Sequence, residues 1–155
     1  MPAPITSISR IADRLLAGFL ALPLAVLASS GAAAMSFTLE PVDQGRKVVV
    51  GRGAIEAGDA QRLRQALQGA DRDERGHRVL VLDSPGGNVA EAFAMVEAMD
   101  AEKVATRVRA GTSCASACAV IVFAAGAFRV VDPGGRLGIH TCYERNGTRS
   151  SSCNE

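Results

Sequence analysis

Short apolar runs separated by polar turns, with stretches of helical spacing between them, pattern this chain from about residue 36 to residue 140. Residues 36–39 and 46–50 read as two strands joined through Pro41 and Gly45. Gly58 and Asp59 supply a stop and a helix N-cap. Leu63, Ala66 and Leu67 then recur at helical spacing over 61–68, with arginines on the opposite face. The polar run 71–76 closes that helix, and His77 at its end reads as an exposed loop histidine. Val79, Leu80, Val81 and Leu82 form a continuous apolar run bounded by turn signals, the mark of a strand buried on both faces of a parallel sheet. It stops at Asp83-Ser84-Pro85-Gly86-Gly87. Asn88 caps the next helix, Glu91 is spaced to complete a capping box, and Val89, Phe93 and Val96 form its apolar stripe up to about Met99-Asp100. Residues 104–108 are the next strand. The run 115–125, apolar almost all round and ended by Gly126, reads as a buried helix opened by Ser116. Residues 128–131 form a strand, Asp132-Pro133-Gly134-Gly135 a turn, and 137–140 a short strand ending in His140. Alternation of this kind predicts right-handed crossovers and one α/β domain, a mainly parallel sheet with packed helices.

The first 34 residues follow another pattern. Arg10 and Arg14 precede the fourteen-residue run 15–28, and small residues follow as far as Ala32-Ala33-Ala34. A basic start, a short apolar stretch and an A-x-A site describe a secretory signal cleaved before Met35. Fourteen residues fall short of the roughly 20 that span a bilayer. The organisation expected is a signal peptide at 1–34, a domain at 35–140, and a polar C-terminal loop or truncated remainder at 141–155. The location expected is periplasmic or secreted, with membrane attachment only if the segment stays uncleaved. The formal charge of the chain is +1, and losing Arg10, Arg14 and Asp13 brings it to zero, so no electrostatic footprint for nucleic acid exists.

Export changes the reading of the cysteines. Cys114, Cys118, Cys142 and Cys153 all lie after the signal, and an even count in an oxidising compartment points to disulfides. Proximity favours Cys142 with Cys153. Cys114 with Cys118 requires a sharp turn between them. The C-x3-C and C-x10-C spacings match no common zinc pattern, and no metal or other cofactor is expected.

Candidate chemistry gathers on three loops. A serine hydroxyl needs a base within hydrogen-bond reach. Ser116 is the candidate nucleophile and His140 the candidate base. The backbone N–H groups of Gly87 and Ala117 are the candidate oxyanion hole, with Gly86 as the supporting turn that lets main chain approach a substrate. Each piece has a plainer reading: a serine at a helix start caps it, S-P-G-G is a turn, and a histidine after a strand is structural. Their joint occurrence in this order favours the chemical one.

Asp83 to Gly87 followed by a helix, Gly111 to Ala117 containing Ala115-Ser116-Ala117, then Ala124-Ala125-Gly126 and Arg136 to His140, resemble the proteolytic subunit of the Clp protease in the ClpP/crotonase superfamily. The resemblance covers roughly residues 47–140. It is nearest to exported, periplasmic protein-like members whose cysteines bracket the serine. It implies a spiral of ββα units, places Ser116 at the family nucleophile and His140 at its base, and puts Gly87 and Ala117 on the oxyanion positions. Stacked rings, hence a homo-oligomer, are also implied.

Two features depart from the family pattern. Its orienting acid comes from a strand well past the histidine, whereas here only Glu144 and Glu155 follow, and neither matches. Either the chain is incomplete at its C-terminus, or a dyad operates, or an acid is borrowed, Asp83 and Asp132 being the distant alternatives. The cysteines flanking Ser116 either fix the helix start or crowd the nucleophile. The leading expectation is an exported serine hydrolase of the peptidase kind, acting on a peptide or small acyl substrate. The alternative is an inactive ClpP-like binding or assembly module. Polarisation of a thioester, as in crotonase relatives, comes last because coenzyme A is an awkward partner outside the cytoplasm.

Overall fold

A computed structural model describes residues 34–139. The signal-like segment up to residue 33, His140, Cys142 and Cys153 lie outside the described residues. Strand β1 (Ser36–Pro41) turns through a 3-10 segment at Asp43–Gly45 into β2 (Lys47–Arg52), an antiparallel pair. Then follow α1 (Asp59–Gln68), β3 (Arg78–Asp83), α2 (Val89–Glu102), β4 (Val104–Val108), β5 (Ser113–Ala115), a π-helix (Cys118–Phe123), β6 (Arg129–Val131) and β7 (Arg136–Gly138). The main sheet runs β1-β2-β3-β4-β6, parallel from β2 onward.

A second, narrower ladder lies at the strand ends. Ala54 and Ile55 follow β2, Ser84 and Gly87 follow β3, and β5 follows β4; parallel bridges join Ile55 to Gly87 and Ser84 to Cys114, and β5 pairs with β7. After each of the first three contributions comes a helix. The chain therefore repeats a unit of long strand, short extended piece and helix, which is the ββα spiral that the resemblance implies.

Apolar alternation explains the core. Val49, Leu80, Leu82 and Val104 pack against Leu63, Leu67, Met95, Met99 and Val122, all buried. Val48, Val50 and Val81 form a smaller cluster of their own. Strand β3 is buried through Leu80, Val81 and Leu82, as its unbroken apolar run requires. Across the sheet, Arg109, just past the end of β4, and Arg52 of β2 both bind Glu40 of β1, at 2.7 and 2.9 Å. Hydrogen bonds from Arg109 and then Arg52 hold the Glu40 carboxyl below its ordinary pKa.

Three local expectations need correction. The buried line of α2 is Ala92, Met95, Ala98 and Met99, while Val89 and Phe93 are 55% and 58% exposed. Alanines let the helix sit close to its neighbours, and the bulkier Val89 and Phe93 turn outward. Asn88 does cap α2, its side chain accepting the Glu91 N–H at 3.0 Å, but no capping box closes. The Asn88 N–H goes instead to the Ile55 carbonyl, and the Glu91 carboxylate accepts the Ala60 N–H at 2.7 Å, capping α1. The run 115–125 is not one helix: residues 113–115 join the narrow ladder, and only Cys118–Phe123 coil. A short apolar run fits strand or helix equally, and ladder partners decided it here. Buried Thr106 donates its hydroxyl to the Phe123 carbonyl at 2.9 Å, satisfying the end of that coil.

Candidate active site

The narrow ladder brings the S-P-G-G turn beside the approach to Ser116 and pairs that approach with β7, the strand that precedes His140. Ser84 N–H donates to the Ser113 carbonyl at 2.7 Å and Ala115 N–H to the Ser84 carbonyl at 2.9 Å, so the S-P-G-G turn and the approach to Ser116 are adjacent strands. Buried Ser84 also accepts the Gly86 N–H on its hydroxyl at 3.1 Å, which fixes the turn. Beyond it, Ile55 clamps the chain, its N–H donating to the Gly86 carbonyl and its carbonyl accepting from Asn88, both at 2.8 Å.

Both glycines are obligatory here. Gly86 has φ +92°, and a Cβ on it would lie 2.6 Å from the Ala115 carbonyl oxygen and 2.8 Å from the Ser116 Cβ. Gly87 has φ +144°, and a Cβ there would run into the Ile55 carbonyl. The Gly86 turn is thus in direct contact with the backbone that carries Ser116.

Ser116 does not open a helix, as the sequence suggests. It sits at φ +54°, a left-handed bend between β5 and the π-helix, whose cap residue is Ala117. No side-chain cap bond is made there, so the reading of this serine as a helix cap does not hold. The bend arises because β5 is tied to the ladder while the following residues coil at once, and the reversal falls on one residue. Ser116 is half-buried, its N–H donates to the Gly138 carbonyl at 2.8 Å, and its carbonyl accepts from Ala119 and Val120. Among the described residues its hydroxyl has no hydrogen-bond partner, and neither do the N–H groups of Gly87 and Ala117. A hydroxyl and two main-chain donors without partners among the described residues, on touching loops, can receive an acyl group and its oxyanion.

Cys114 and Cys118 are joined by a disulfide, with Cα atoms 5.4 Å apart. The sharp turn this needs is the left-handed Ser116 between them. Asp83 and Asp132 have other partners: Asp83 accepts the Ser113 N–H at 3.2 Å, and Asp132 pairs with Arg107 at 2.9 Å. His77 is not an exposed loop residue. It is half-buried, with its ring edge-on to Phe128 at 5.0 Å and Nδ1 3.5 Å from Asp73. Burial pushes the Asp73 carboxyl upward, but the N–H groups of His77 and Arg75 and the nearby imidazole outweigh it, and the net pKa is below normal.

Two contributors were not evident from sequence. Ser84 carries a readable signal, a serine two residues before glycine in a turn. Ile55 acts only through its main chain, which no side-chain pattern reports. A family model described as Clp protease matches residues 32–152. No curated protein matches the chain.

Proposed function

The chain belongs to the Clp protease family, and from that premise we propose that it is a serine hydrolase of the peptidase kind. Ser116 attacks the carbonyl of a peptide or small acyl substrate, His140 takes the hydroxyl proton and returns it to the leaving group, and the Gly87 and Ala117 amides hold the oxyanion. The observation that carries this reading is the Ser116 bend, a strained serine pressed against the Gly86 turn whose hydroxyl has no hydrogen-bond partner among the described residues. Chain length supports His140 as the base: Ser116 N–H holds the Gly138 carbonyl, and two further residues reach at most about 7 Å.

The engagement of Asp83 and Asp132 elsewhere supports a Ser-His dyad or an acid from outside residues 34–139, and it is also what favours the second reading, an inactive binding or assembly module. The buried disulfide supports export, with residues 1–34 as a cleaved signal, 35–140 as the domain and a periplasmic or secreted location. Members of this family typically form oligomers, and exposed Val89, Phe93 and Val120 offer apolar surface for a homo-oligomer.

The test is covalent labelling by a fluorophosphonate, followed by peptide mapping. Wild type should be labelled at Ser116, with Ser116→Ala unlabelled and His140→Ala slowed at least 100-fold, the scale expected when general-base help is lost. Equal labelling of wild type and Ser116→Ala would overturn the hydrolase reading.

A further inference from the structure

We propose that the Cys114–Cys118 disulfide is the positioning device for Ser116, holding the serine in its left-handed conformation rather than stabilising the domain at large. The inference rests on the hydrolase reading and names what sets the geometry of its nucleophile.

A residue with a Cβ at φ +54° is held against its own preference, and such a conformation persists only where its surroundings over-determine it. Hydrogen bonds supply part of the restraint, through Gly138 on one side and Ala119 and Val120 on the other. Gly138 ends β7, a three-residue strand whose Arg136 and Leu137 are exposed, so that anchor is slight. The disulfide supplies the rest. It joins the residues two before and two after Ser116, and both cysteines are fully buried.

Had β5 run straight on, four residues would separate the two Cα atoms by about 13 Å. They are 5.4 Å apart, so the bond forbids the extended continuation and obliges the chain to reverse within the three residues between, of which Ser116 is the one at positive φ. A cross-link gains stability through the unfolded chain chiefly when it closes a long loop, and this one closes five residues. Its value lies in what it encloses. Burial of both sulfurs also keeps exchange partners away, which suits a resident lock more than a redox relay.

The experiment uses the full chain carrying Cys142→Ser and Cys153→Ser, so that only one disulfide can exist. The oxidised protein, the same protein unfolded in urea, reduced by a water-soluble phosphine that can then reach the sulfurs, and refolded in its presence, and a Cys114→Ala/Cys118→Ala variant are compared. In the reduction the cystine gains two electrons and two protons, and the phosphine takes oxygen from water to become its oxide. Opening the lock should lower the maximal rate of fluorophosphonate labelling about tenfold, equivalent to about 1.4 kcal/mol, while the half-saturating probe concentration and the far-ultraviolet circular dichroism stay constant. Reoxidation should restore the rate. Amide exchange should show protection lost at Ser116, Ala119 and Val120 and retained at Leu80 and Val81.

Unchanged labelling in folded, reduced protein overturns the inference. If the double-alanine variant fails to fold, the reduced protein decides alone. An oxidised protein that takes no label overturns the hydrolase reading instead. Exchange then decides this inference: selective loss at Ser116 to Val120 supports it, and unchanged protection refutes it.

Discussion

Replacing Gly86 by alanine tests whether the turn and the serine bend are one mechanical unit. The substitution has two costs. A Cβ at φ +92° costs about 1–2 kcal/mol for the backbone conformation alone. The new methyl must also find room against three fixed neighbours, the Ala115 oxygen at 2.6 Å, the Ser116 Cβ at 2.8 Å and the Ala117 nitrogen at 3.0 Å. Two of these are main-chain atoms in the narrow ladder or at the start of the π-helix, so the site relaxes only by parting the two loops. Overpacking of this sort adds about 1–3 kcal/mol, which brings the total to about 2–5 kcal/mol. Urea unfolding followed by circular dichroism measures the loss, and fluorophosphonate labelling at a urea-free temperature well below the melt measures the site. The midpoint should fall with an unchanged slope, and labelling should fall more than tenfold in the protein that remains folded. A variant with wild-type midpoint and wild-type labelling would show that the two loops do not touch, and the account of the site would fail with it.

Glu91→Ala should cost about 1–2 kcal/mol, because it strips the cap from α1 rather than from its own helix; Glu91→Gln should recover most of that, and amide exchange should quicken at Ala60. Glu40 has its carboxyl pKa depressed by Arg109 and Arg52, so its contribution to stability is present above the unfolded-state value and is lost as pH falls through the folded one. Urea midpoints measured from pH 6 down to pH 3 should therefore drop less steeply in Glu40→Gln than in wild type. Identical pH profiles would remove the pair of arginines from the account of the sheet.

Much of the main sheet was legible because its inner strands β2 and β3 carry unbroken apolar runs and its turns are rich in glycine. Strand β4 falls at residues 104–108 as the pattern indicates, and β3 extends the apolar run by one residue at each end. The narrow ladder was not legible. Its members are one to three residues long, too short for any periodicity, and they are held by main-chain bonds from residues such as Ile55 whose side chains point to nothing but the core. The same blindness left Ser113 and Cys114 without a strand and put Ala115 at the start of a helix. Apolar Val89 and Phe93 misled in the opposite way: spacing alone cannot tell an inward stripe from an outward one when alanines lie on the competing face. At the site, glycine and serine identities pointed to the right turns, but the left-handed backbone of Ser116 had no sequence signal, since nothing about serine announces it. The cross-link between Cys114 and Cys118 could be read only as one pairing among three.

The bridges from Ile55 to Gly87 and from Ser84 to Cys114 act as a ruler. Neighbouring members of a parallel ladder stand about 4.8 Å apart whatever their side chains, so the gap between the glycine turn and the serine bend is inherited from hydrogen-bond spacing, not negotiated by loop sequence. An exposed position nearby such as Pro85 is thereby free to change without moving either loop. The glycine turn and the serine bend themselves keep station on a lattice of peptide bonds.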